Sequence, residues 1–205
     1  MTAPVKVPSP RGWPAATLHL TIDPAEHTRR QQAGLRHIRD SHRALLDTLM
    51  TLPPGSPVPV DGLTERQQTD VRRAPAGILD LTLGLVTRHA IRPCRVTLAT
   101  VHGTCTRDRI GRTSTYASVC ARAIVTPRPP RNDYLLSEAD YWGIGVLLEH
   151  GNGELETLVA PAPWQPKRHT PAAWRFVEAA YASYLNHSPT PNHAGEEPRG
   201  SKQLD

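Results

Sequence analysis

The residues best suited by type to bind something are the arginines between positions 107 and 131. Arg107, Arg109, Arg112, Arg122, Arg128 and Arg131 stand against one acid, Asp108, over residues 96–132. Residues 133–165 carry Asp133, Glu138, Asp140, Glu149, Glu154 and Glu156 with no lysine or arginine. Guanidinium groups grip phosphate bidentately and release counterions as they do so. Arg107, Arg109 and Arg112, in a glycine-punctuated stretch read as a loop, are therefore the candidate nucleic-acid contacts. The competing account is structural: basic and acidic segments are neighbouring strands whose charges pair across a sheet.

Aromatic residues are the second candidate set, because all but Trp13 and Tyr116 lie at or beyond Tyr134. Trp142, Trp164, Trp174 and Tyr181 could line a pocket for a planar ligand or an unstacked base. The same residues at helical spacing also suit a core. His102 and Cys105, with Cys94 and Cys120, offer metal-ligand types, yet zinc sites bring their ligands in close pairs and these cysteines are 11 and 15 residues apart. No metal and no cofactor is expected. A Cys105 nucleophile served by His102 has only sequence proximity behind it. Motifs for zinc proteases, serine hydrolases, phosphate loops and dinucleotide folds are absent.

Elements must position these groups, and the pattern places them in one domain at residues 16–187. Residues 1–15 read as a flexible arm and 188–205 as a disordered tail, both rich in proline and charge. TLHLTI (17–22) alternates strictly and predicts a strand. Asp23, Pro24 and Glu26 then supply an N-cap, a first-turn proline and a capping-box partner for a helix running to about 51. A proline-rich connector (52–62) follows, then a second helix from Thr64, broken at Pro75 and Gly77, with an apolar piece at 78–91. These make a helical half over 23–92. Period-two stretches over 95–160 predict a β-rich half, and Thr170 with Pro171 opens a last helix over 171–186. The class is α+β: an antiparallel sheet of about five strands, with two N-terminal helices and one C-terminal helix packed mainly on one face.

Composition limits function without naming it. Three lysines accompany 21 arginines, and the formal net charge of +5 admits an acidic partner without requiring one. Three cysteines make no disulfide framework, and no run of apolar residues is long enough to span a membrane, so a soluble cytoplasmic protein is expected. The function these features favour is a non-enzymatic accessory or regulatory binding protein with a protein or nucleic-acid partner. The alternative is a small enzyme with an aromatic-lined pocket, using residues such as Asp140, Glu149 or His169. An enzyme would converge polar groups on a deep apolar cavity; a binding module would present a flat basic or apolar patch.

Overall fold

A computed structural model describes residues 4–166 and 169–187. Its frame is a six-stranded sheet built from β1 (Val5–Pro8), β2 (Thr17–Ile22), β6 (Cys94–His102), β7 (Ala121–Thr126), β8 (Ile144–Glu149) and β9 (Leu155–Val159), side by side in that order. The pairs β1·β2, β2·β6 and β8·β9 are antiparallel, whereas β6·β7 and β7·β8 are parallel. The α+β class holds, but the sheet is mixed. The antiparallel expectation fails because two helices lie between strands expected to be consecutive: α4 (Arg107–Ser114) links β6 to β7, and α5 (Asp133–Tyr141) links β7 to β8. A parallel pair needs such a crossover. Thr106 and Asn132 cap these helices by accepting from the Arg109 and Tyr134 amides.

Between β2 and β6 the chain makes α1 (Pro24–Gln32) and then a compact inserted lobe. The lobe contains α2 (Arg43–Thr51), α3 (Glu65–Arg72) and a three-stranded sheet, β3 (Pro57–Pro59), β5 (Leu85–Arg88) and β4 (Leu79–Thr82) in spatial order. The single helix expected over 24–51 is two. Gly34, at φ +66°, follows the last turn of α1, and the Leu35 amide reaches back to the Arg30 carbonyl, closing the helix as a left-handed glycine cap does. The apolar helix expected at 78–91 is the β4–β5 hairpin. Leu83 and Gly84, both at positive φ, form its two-residue turn, which sets Thr82 opposite Leu85.

Three apolar clusters fill the structure. Leu18, Leu20, Val96, Ala99 and Val101 meet Phe176, Val177 and Tyr181 of α6 (Pro171–His187). The lobe closes around Leu45, Leu46, Leu49, Ile78 and Val86, with Trp174 of α6 reaching into it. Ile110 and Ala139 cover Ile124, Ile144 and Val146. Residues 5–8, expected within a flexible arm, instead form an edge strand with Val7 buried, and Trp13 packs on Tyr116 and Phe176. The predicted tail at 188–205 lies outside the described residues.

One charged network is fully buried. Arg30 donates to both carboxylate oxygens of Glu178 at 2.8 Å and to Glu26 at 2.6 Å, and all three side chains are at most 2% exposed. Glu178 also accepts from the Ile38 amide and from Trp174 Nε1. Burial alone would lower the Arg30 pKa, but Glu178 and Glu26 raise it well above the ordinary arginine value. Removing one member strands its partners as unpaired buried charge. Arg30→Met should therefore cost about 3–5 kcal/mol of unfolding free energy, read by urea denaturation.

Acid should undo the same network. Burial pushes the Glu26 carboxyl up, yet hydrogen bonds from Arg29 and Arg30 outweigh it and the net shift is downward. The unfolded chain then takes up the proton first as pH falls. Stability from Glu26 is fully present above the unfolded glutamate pKa of about 4.3 and is lost as pH drops through the lower folded value. Urea midpoints should hold down to about pH 5 and fall below it, and Glu26→Gln should make that fall shallower.

Candidate anion-binding cleft

Where the lobe meets α6, a cleft of about 640 Å³ opens, walled by Met50, Leu52, Pro53, Pro54, Ile91 and an edge of Trp174. Its charge comes from Arg88 and Arg92, with His169 beside them, and none of its lining residues is acidic. Arg88 closes β5, and its Nη1 donates to the Leu49 carbonyl in the last turn of α2. Its guanidinium carbon lies 5.4 Å from the Trp174 ring centroid, a cation–π stack. Arg88 Nε is buried without an acceptor. Arg92 Nη1 donates to His169 Nδ1 at 3.0 Å, which leaves the His169 ring proton on Nε2 in the neutral imidazole.

Burial without a counter-ion sets this pair apart from Arg30, and Arg122 has the same property among the described residues, with its Nε likewise lacking an acceptor. Among the described residues neither Arg88 nor Arg92 forms a salt bridge. Burial lowers both pKa values, and no neighbouring charge contributes to either shift. A half-buried guanidinium without a counter-ion is a cost that an incoming anion would relieve.

A second cavity of about 530 Å³ lies on the other side of Arg92 and His169, which line both spaces. Its walls include Ile22, Cys94, Val96, Val119, Trp164 and Val177. Asp23 is there too, but its carboxylate is engaged by the Glu26 amide at the start of α1. Burial pushes the Cys94 thiol up to about 12, so this sulfur is an apolar wall at neutral pH and not a nucleophile. A further cavity of about 630 Å³ beside Trp13 and Phe176 holds His37, whose pKa is lowered chiefly by burial, and hydroxyl and amide groups of α6.

Comparison with protein-family models, with curated proteins and with solved structures gives no match.

The residues singled out from sequence are dispersed. Trp174 edges the cleft and Trp164 the second cavity, but Tyr181 is core, its hydroxyl 2.7 Å from His27 Nδ1. Trp142 lies at the end of α5, edge-on to the exposed Tyr141, and its carbonyl accepts from Arg122. The four do not form one pocket. Arg107, Arg109 and Arg112, expected in a loop, are on α4. Arg107 pairs with Glu138 at 3.3 Å over the Tyr134 ring, Arg112 pairs with Asp108 at 2.9 Å, and Arg109 braces the His102 and Thr104 carbonyls. Arg107 thus meets the acidic segment as the pairing account requires, though from helix to helix and not across strands. Among the described residues no group of three or more His, Cys, Asp or Glu is placed to hold a metal ion, and no helix is long and apolar enough to cross a membrane.

Arg88 and Arg92 were missed because their importance lies in a missing partner, which no local pattern encodes. That absence predicts their effect on the free protein. Arg92→Met removes a poorly compensated charge, so it should change unfolding free energy by less than about 1 kcal/mol, against the several lost with Arg30→Met in the same urea titration.

Proposed function

We propose that this protein is a non-enzymatic regulatory binding protein that captures an anionic group in the cleft between its inserted lobe and α6. The observation carrying the proposal is the pairing of two half-buried arginines, Arg88 and Arg92, with no carboxylate. At Arg30 the chain supplies the counter-charge, from Glu178 and Glu26. In the cleft, withholding it leaves two cationic groups and a neutral imidazole facing a preformed, largely apolar space, the composition of an oxyanion site. The partner expected from sequence, protein or nucleic acid, narrows in this proposal to a molecule that presents a carboxylate or phosphate.

Two features favour binding over catalysis. Asp140 and Glu149, the acids an enzyme would draw on, lie on α5 and at the end of β8, while His169 alone of that trio lines the cleft. All three cysteines are buried, with their pKa values raised foremost by burial. A ligand bound here touches α2, β5 and the approach to α6 together, so occupancy would change the surface that these elements present.

Phosphate or sulfate at about ten times its dissociation constant should add about 1.4 kcal/mol, a rise in Tm of roughly 3–6 °C, beyond that given by chloride at equal ionic strength. Arg88→Ala with Arg92→Ala should abolish the rise. The triple change of Arg107, Arg109 and Arg112 to alanine should leave it intact. Loss of the rise in the triple variant, with retention in the double, would move the anion site to α4 and defeat the proposal.

A further inference from the structure

We infer that the anion taken by this cleft is the head of an amphipathic molecule, whose apolar tail occupies the adjoining cavity behind Arg92 and His169. The inference rests on the anion-binding reading and adds the ligand class. Three observations support it.

The first is size. The cleft alone, at about 640 Å³, falls within the range of small-molecule sites, and a bare oxyanion held by two arginines would leave most of it empty. The walls away from the arginines are Met50, Leu52, Pro53, Pro54 and Ile91, which offer an anion nothing and offer a hydrocarbon a dry surface.

The second is continuity. The two cavities share Arg92 and His169 in their linings, and these two side chains are joined to each other by one hydrogen bond. An arriving carboxylate or phosphate gives Arg92 a charged acceptor, a stronger partner than a neutral imidazole nitrogen. Arg92 exchanging His169 for the head separates the two side chains and joins the spaces. His169 is exposed and turns outward without having to be buried elsewhere.

The third is the lining of the second space. Ile22, Cys94, Val96, Val119 and Val177 come from β2, β6, the approach to β7 and α6, so four parts of the main body converge on one apolar chamber of about 530 Å³. Its polar members are committed or peripheral: Asp23 caps α1, and Arg95 and Thr21 are exposed. Nothing there reacts, since the Cys94 thiol is held protonated and donates to the Val177 carbonyl. The chamber binds a tail without modifying it.

The test is a homologous series, acetate through octanoate and the matching monoalkyl phosphates, titrated by calorimetry into the full chain. The wild type should bind each longer member about fourfold more tightly per buried methylene. Comparing the carboxylate and phosphate arms reports which head the arginines prefer. Ala173→Leu narrows the second cavity from α6 without touching Arg88 or Arg92; Thr21→Leu does so from an exposed strand position where folding is least at risk. Either variant should bind the shortest members as the wild type does and lose the gain with length. Octanoate binding no tighter than acetate would overturn the amphipathic ligand and leave the anion cleft standing. Failure of every member, with Arg88→Ala and Arg92→Ala indistinguishable from wild type, would overturn both.

Discussion

The Arg30 guanidinium is the point at which the two halves of this protein are fastened together. Arg30 reaches Glu178 of α6, Glu26 one turn back on α1, and the Ile91 carbonyl just before β6. Glu178 in turn accepts from the Ile38 amide. Residues 38 and 91 flank the inserted lobe, so one ion network holds its entry and its exit against the same helix. A lobe joined through such a pair of strands could swing about its connections. Here movement would break hydrogen bonds to charges buried too deeply for water to replace them.

The cleft inherits its geometry from that network. Trp174 Nε1 donates to Glu178 at 2.9 Å, which fixes the indole in the plane that Arg88 stacks upon. The path from the buried pair to the cleft thus runs Arg30, Glu178, Trp174, Arg88, each link a hydrogen bond or a stacking contact. Arginine serves two opposite purposes within about one helix length. At Arg30 each guanidinium nitrogen donates to at least one acceptor, and the group stabilises the fold. At Arg88 the Nε is left without an acceptor, as it is at Arg122, and no carboxylate among the described residues pairs with the Arg88 guanidinium.

The sequence was most legible where local chemistry decides structure. TLHLTI forms β2, the Asp23–Pro24–Glu26 start of α1 carries the expected Asp23 cap, and Thr64 with Gln67 makes a full capping box. Thr170 and Pro171 open α6 as read. Legibility failed where a single residue overrides a periodic pattern. Gly34 ends a helix whose apolar spacing continues undisturbed through Leu35 and Ile38, and Gly84 turns a leucine-rich run into a hairpin. The stretch 78–91 satisfies a period of 3.6 as well as a period of two, and the two-residue turn at Leu83 and Gly84 was the signal that separates them. The parallel strands were lost with α4 and α5, whose polar, short sequences have little apolar periodicity to find. Charge segregation was visible and its account only half right, since Arg107 meets Glu138 between the two unseen helices.

The arginines of α4, singled out in the sequence, and those of the cleft differ in their surroundings, and that difference separates them as candidate sites. On α4, Arg107 and Arg112 already have carboxylates within 3.3 Å, so an arriving phosphate must displace an intramolecular partner and gains only the difference. Arg107, Arg112 and Asp108 are solvent-exposed, so displacement is cheap but the attraction left over is screened as well. In the cleft the balance is reversed. Arg88 and Arg92 have lost part of their hydration to Trp174, Ile91 and the proline loop and have received no charge in return, so an anion there gains a less screened attraction and displaces no carboxylate. Exposure makes a site easy to reach, but an unmet charge in a shaped, partly dry space is what makes it selective. By that criterion the cleft, and not the helix that first draws the eye in the sequence, is the site we propose for an anionic ligand.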